Sequence, residues 1–219
     1  MAYPLPLQRR ILNNEGYTTE VFKKHFEYTN MDLPVPCDHR WSHSFVSTAM
    51  LWYSVQKSIW NVPEEELTSA LQRIFNVVYP GVKYRVTPEG PVFVLVSRPN
   101  SAESWMLTGQ TLRRINEWRS SFGSSALAMM LHFFSTLDSN DDIHAAAEFL
   151  STDSRFLWED PDSSDPTKPF RSPFLLMLIA ITHLGHITAC VDVPGWDTQA
   201  MASGRSGEGV IALASVAVR

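Results

Sequence analysis

The chain has 219 residues, a length that suits one domain with a substantial core. Hydrophobic residues make up 44% of it and charged residues 19%, a balance typical of globular proteins and not of disordered ones. The net charge of −5 argues against broad binding to nucleic acid or to anionic membranes, since both need a positive field. The two cysteines, Cys37 and Cys190, favour reduced thiols in an intracellular protein, cytoplasmic or nuclear.

Two segments bear on membrane insertion, the N-terminus and the longest apolar span. Residues 1–16 lack the apolar core of a signal peptide. The longest apolar span, 173–191, is interrupted by His183, Gly185 and His186, and its strictly apolar part is too short to cross a bilayer. The sequence therefore predicts no membrane partner.

The N-terminal third begins with an arm, residues 1–31, which we expect to be flexible apart from one short helix over 18–28. Loosely helical spacing over 44–60 predicts the next helix. A better defined helix follows, because Pro63 and three glutamates suit its first turn and Pro80 with Gly81 suits its end. Its predicted buried face contains Leu67, Leu71, Ile74, Phe75 and Val78.

The segment 82–96 has two interpretations. VKYRV alternates like a strand and PVFVLV is a short apolar run, so a small β-hairpin near 82–96 fits, and so does a helix that begins near Glu89. Residues 97–111 are polar and irregular, and they predict an inserted loop.

The stretch 104–137 has the strongest helical signal. One helix would bury Leu112, Ile115, Trp118 and Phe122 and end at Gly123, with Ser124 as the N-cap of a second helix. The second helix is expected to be buried on most sides, so that an aspartate at Leu131 or Phe134 would be the most damaging change. Its apolar residues are Leu127, Met129, Met130, Leu131, Phe133, Phe134 and Leu137.

The C-terminal third predicts three further helices. The first spans 140–150 and is followed by a hydrophobic latch at 156–158. The second begins with Ser172 as N-cap, runs through Leu184 to a stop at Gly185, and is expected to be central and buried. The third spans 210–218 and looks cut short. Together these elements predict a mainly α-helical, single-domain bundle of about seven or eight helices over 32–219.

Four groups of residues stand out together: Trp60, the block Leu71-Gln72 to Tyr79-Pro80, Glu117-Trp118-Arg119 with Phe122-Gly123, and Phe170 with Pro173. With these markers the chain resembles a fungal family that is abundant in mushroom-forming basidiomycetes, the domain of unknown function 6532. The resemblance covers roughly 32–219 and implies a helix-rich domain, but no activity, because the family has no established one. Its members run from PVFVLV almost directly into the EWR helix, so 97–111 is either a true loop or a gene-model artefact such as a retained intron.

Histidines and one cysteine supply the candidate metal ligands. Cys37, His39 and His43 have ligand chemistry that suits zinc, yet no second pair completes a four-ligand set. His183 and His186 straddle the end of an apolar helix, where a charged histidine favours the helix C-terminus. No cofactor is predicted.

Arginines supply the candidate nucleic-acid contacts. Arg113, Arg114 and Arg119 cluster around Trp118, which could stack on a base but is also needed for the core. No catalytic constellation is complete. We therefore predict a non-enzymatic helical interaction module, with a protein partner or self-association favoured over nucleic acid. The alternative is a helical metal-dependent enzyme or nucleic-acid-binding protein.

Overall fold

The computed structural model describes residues 11–12, 18–19, 28–97, 114–162, 168–203 and 207–219. Over these ranges the chain is mainly helical, which confirms the predicted fold class. The described ranges contain nine stretches of α-helix. A π-helical segment joins the sixth to the seventh without a break, so the nine stretches make eight separate helices. They are α1 (Val46–Ser54), α2 (Glu64–Val78), α3 (Pro91–Ser97), α4 (Arg114–Ser135), α5 (Asn140–Ser151), α6 (Pro173–Ile179), α7 (Gly185–Ile187), α8 (Thr198–Ala202) and α9 (Glu208–Val218).

Short elements complete the fold. Two two-residue strands, β1 (Ile11–Leu12) and β2 (Thr18–Thr19), pair antiparallel, so the predicted helix over 18–28 is wrong at its first two residues. The other residues of that predicted helix, up to 27, lie outside the described residues. A π-helical segment, Arg40–Phe45, leads into α1, and a second one, Ala180–Leu184, joins α6 to α7.

The helix α2 matches its prediction closely. Three glutamates occupy its first turn, where they complement the positive end of the helix dipole. Leu71, Ile74 and Phe75 are fully buried on its core face. Burying each such side chain contributes roughly 1.5–3 kcal/mol before chain entropy is subtracted, so this face anchors the N-terminal half of the domain.

The segment after α2 is held by one side chain and not by a partner strand. The Gln72 amide donates to the carbonyl of Tyr84 over 3.1 Å, and its oxygen accepts from the amide of Val86 over 2.7 Å. Gln72 thus satisfies two backbone groups of this segment that a neighbouring strand would otherwise pair. Residues 91–97 then form α3, with 92–96 buried all round. The structure thus selects the helix of the two interpretations of this region. The inserted loop at 97–111 lies outside the described residues, except that Ser97 ends α3.

The predicted corner at Gly123 is wrong, because α4 continues through it as one helix of 22 residues. A Cβ at Gly123 would meet nothing within 4 Å, so no close contact or special turn requires a glycine there. Phe122 and Ala126 are buried on either side of it, and their packing holds the helix together across the glycine. A glycine inside a helix costs only about 0.5–1 kcal/mol, which such burial offsets.

The apolar residues after Gly123 are far less buried than predicted. Leu127 and Leu131 are more than 60% exposed, so an aspartate at Leu131 is not the damaging change that the sequence suggested. Phe133 packs edge-on against Phe174 of α6, with ring centroids 5.2 Å apart. Near the other end of α4, Trp118 lies 5.6 Å from His183. The two helices are therefore antiparallel neighbours.

The continuous helix made of α6, the second π-helical segment and α7 differs from its prediction in two respects. Ser172 caps its start through a bond to the amide of Leu175 and Pro173 follows, as predicted. It does not stop at Gly185, whose backbone is helical, but continues to Ile187. It is also not buried on all sides. Leu175 and Leu178 face the core while the opposite face is exposed.

One cluster of buried residues extends from Leu33 to Ala214. The predicted helices at 140–150 and 210–218 are present as α5 and α9, and Phe156 of the predicted latch is buried. The start of α9 lies directly on the end of α1, since a Cβ at Gly209 would come within 2.6 Å of the carbonyl oxygen of Ser54. The first and last helices of the described core are thus in contact.

Candidate functional site

A cavity of about 280 Å³ opens between α1 with its preceding π-helical segment, the first turns of α4, and α7. Ser42 lies in the first π-helical segment, and His186 lies two residues after the second. Short π-helical segments occur frequently at functional sites, and the first one contributes Ser42 to the wall of this cavity. The lining residues are Ser42, Val46, Ser47, Met50, Arg114, Glu117, Trp118, Ser121 and His186.

Two buried nitrogen atoms beside this cavity have no hydrogen-bond partner. They are Nε1 of Trp118, which lines the cavity, and Nδ1 of His183, whose ring lies 5.6 Å from the Trp118 ring. Native proteins leave few buried polar groups unpaired, and such groups often mark a bound water or ligand. Of the two side chains, Trp118 lines the cavity, so an unpaired donor belongs to its wall.

His183 is neutral at physiological pH. Burial, with a smaller contribution from His186, lowers the pKa of His183 from 6.5 to about 4. The predicted interaction of a charged His183 with a helix C-terminus is therefore wrong, because the imidazole is uncharged and lies in the core. His186 is exposed at the edge of the cavity.

The predicted metal ligands do not converge. The rings of His39 and His43 stack at 4.0 Å between centroids, on the exposed start of the first π-helical segment, and Cys37 is an exposed free thiol. Between them, Asp38 accepts from the amides of Arg40 and Trp41 and so caps the segment. Among the residues that the structure describes, no three histidine, cysteine, aspartate or glutamate side chains are grouped as a metal ion requires.

The predicted nucleic-acid contacts are engaged within the protein. Arg114 pairs with Glu117 at 3.6 Å, and Arg119 lies over the ring of Trp60 at 4.8 Å. Trp118 is buried and cannot stack on a base without unfolding α4. Arg113 lies outside the described residues.

The outer face of α6 and of the π-helical segment after it is apolar and exposed. Leu176, Met177, Ile181 and Leu184 follow one another at helical spacing, and each is between 48% and 60% exposed. We call these four residues the α6 stripe. Large apolar residues scattered singly over a surface are ordinary, but several on one helical face indicate a contact surface.

Sequence reasoning found His183 and His186 but missed the cavity and the α6 stripe. Ser42, Ser47 and Ser121 carry no spacing signal, since they come from three separate turns. The uniform hydrophobicity of 173–184 gave no indication of which side faces the core. The packing of α4 and α9 against α6 decides this.

No helix of the described part of the chain is both long and apolar enough to span a membrane. Comparison with models of protein families, with curated proteins and with solved structures finds no match. The resemblance to the fungal domain of unknown function 6532 therefore stays a prediction.

Proposed function

We propose that this protein is a non-enzymatic helical interaction module that associates with a second copy of itself through the α6 stripe. The observation that supports this most is the exposure of four large apolar side chains on one face of a helix whose other face is fully buried. An exposed stripe of this kind is what a helix presents when a second helix packs against it.

The charge distribution supports a second copy as the partner. From Ser172 to Val191 the chain contains no aspartate, glutamate, lysine or arginine. A symmetric dimer brings the same surface of both copies together, so any charge on it must find an opposite charge on the same surface. An uncharged apolar face meets itself without like-charge repulsion, whereas the protein as a whole is acidic.

The available area supports a weak dimer. Each half-exposed side chain of the α6 stripe leaves on the order of 100 Å² uncovered, so two copies would bury roughly 800 Å² of apolar side chain. Stable dimers bury about 1,200–2,000 Å² and transient ones less, so the stripe alone falls in the range of weak, transient interfaces. We expect association that depends on protein concentration.

The test is the molar mass of the protein in solution over a series of concentrations, measured by analytical ultracentrifugation. We expect the mass to rise towards that of a dimer in the wild type and to stay at that of a monomer in Ile181→Asp. Leu131→Asp is the matched control, since Leu131 is equally exposed on α4 but lies outside the stripe. A wild type that stays monomeric, or two variants that dissociate alike, contradicts the proposal.

The free thiols of Cys37 and Cys190 support an intracellular setting for this module. The metal-dependent enzyme and the nucleic-acid-binding protein remain alternatives from the sequence, and no contact among the described residues favours either one.

A further inference from the structure

The cavity beside Trp118 shares no lining residue with the α6 stripe, and the charges of its arginine and glutamate cancel. Arg114 and Glu117 are its fully charged groups and lie 3.6 Å apart, so each neutralises the other. Burial keeps His183 uncharged behind Trp118. An ionic ligand would leave water for a site with no surplus of opposite charge, so it should bind more weakly than a neutral ligand of the same shape.

The hydrogen-bonding groups of the cavity call for both a donor and an acceptor on the ligand. Nε1 of Trp118 is a buried donor without an acceptor. The hydroxyl hydrogen of Ser121 is used in a 2.6 Å bond to the carbonyl of Trp118, and that of Ser42 in a 3.2 Å bond to the carbonyl of Asp38. The lone pairs of both hydroxyl oxygens can still accept. A primary amide supplies both functions within one planar group.

The rest of the lining favours an apolar body. Val46 and Met50 of α1, together with the Trp118 ring, form the apolar part of the cavity wall. Its volume of about 280 Å³ is close to the lower limit of small-molecule pockets, roughly 300 Å³. From these observations we propose that this cavity binds a small neutral molecule with an amide on a compact apolar body. This site is independent of self-association.

Three probes of the same shape and different charge test the proposal. They are benzamide, which is neutral, benzoate, which is an anion, and benzamidinium, which is a cation. Binding to the full chain is followed by the indole N–H resonance of Trp118 in a ¹⁵N-labelled sample, assigned by its absence in Trp118→Phe. We expect benzamide to shift this resonance with saturation and both ions to bind at least about tenfold more weakly.

A pair of variants tests where the probe binds. Ser121→Met places a longer side chain in the cavity, and we expect it to abolish benzamide binding. Ser124→Met makes the same change one turn further along α4 at an exposed position outside the cavity, and binding should persist. Circular dichroism shows whether each variant is folded.

The wild type alone is sufficient to overturn the proposal. If none of the three probes moves the Trp118 resonance, the cavity holds only water. If benzoate or benzamidinium binds as tightly as benzamide, the inference from neutrality is wrong. Loss of binding in Ser124→Met to the same degree as in Ser121→Met would place the site elsewhere.

Discussion

Replacing Gly123 with alanine should stabilise this protein, although the sequence alone indicates the opposite. A glycine that ends a helix has a left-handed backbone, where a Cβ is strained. In the structure Gly123 lies inside α4 instead, and it is absent from the positive-φ glycines of the described residues, which include Gly195 at φ 79°. An added methyl group at Gly123 would meet open space.

The expected gain follows from helix propensity. Alanine is favoured over glycine inside a helix by roughly 0.5–1 kcal/mol, mainly because the unfolded alanine chain has less conformational freedom to lose. In a domain of this size each 1 kcal/mol raises the melting temperature by about 2–4 °C. Gly123→Ala should therefore melt roughly 1–4 °C above the wild type in a calorimetric scan, with a matching increase in the urea midpoint.

Two other glycines provide contrasts of opposite sign. Gly209→Ala would press a methyl group against backbone oxygens of Ser54 and Gln56 at 2.6 and 2.7 Å, and such overpacking costs about 1–3 kcal/mol. Gly195→Ala should also destabilise, since its φ of 79° strains any side chain. If Gly123→Ala lowers the melting temperature as these two do, α4 is broken at Gly123 and our account of the central helix is wrong.

Two further predictions concern buried polar groups. Burial lowers the pKa of His183 from 6.5 to about 4, so as pH falls the unfolded chain binds a proton at this residue before the folded chain does. The free energy of unfolding therefore keeps its full value above pH 6.5 and decreases towards pH 4, by about 3 kcal/mol in all. Urea unfolding at a series of pH values should show this loss in the wild type and in His144→Gln, but a flatter profile in His183→Phe; identical profiles would contradict it. Gln72→Met should cost about 1–3 kcal/mol in urea unfolding, since the amide of Val86 and the carbonyl of Tyr84 lose their partner, whereas Asn76→Ala removes only an exposed partner of Gln72 and should cost less. Equal losses in these last two variants would count against the role of Gln72.

Local sequence signals correctly predict those helices in which the residues typical of a helix end and the apolar periodicity indicate the same element. The glutamates at the start of α2 and its buried leucines indicate the same helix, and Ser172 with Pro173 correctly marks the start of α6. The sequence wrongly predicts a helix end at Gly123, because the burial of Phe122 beside it outweighs a local preference of about 1 kcal/mol.

The parts that the sequence could not predict depend on long-range packing. The bonds of Gln72 to Tyr84 and Val86 replace a strand pairing, and no periodicity in 82–96 encodes a side chain that comes from the preceding helix. The cavity beside Trp118 and the exposed face of α6 likewise arise only when α1, α4 and α6 are brought together. Buried surfaces and cavities form only when several helices pack together, so the sequence of any one helix does not encode them.

The contact of Gly209 with the end of α1 has a consequence for how the chain reaches its native state. It joins Ser54 to Gly209, so most of the chain between α1 and α9 is closed into a loop when α9 docks. Contacts between residues so distant in sequence raise the contact order and slow folding relative to helical bundles built from local hairpins. During synthesis α1 emerges well before α9, so the part of its apolar surface that α9 covers stays exposed until α9 has been made.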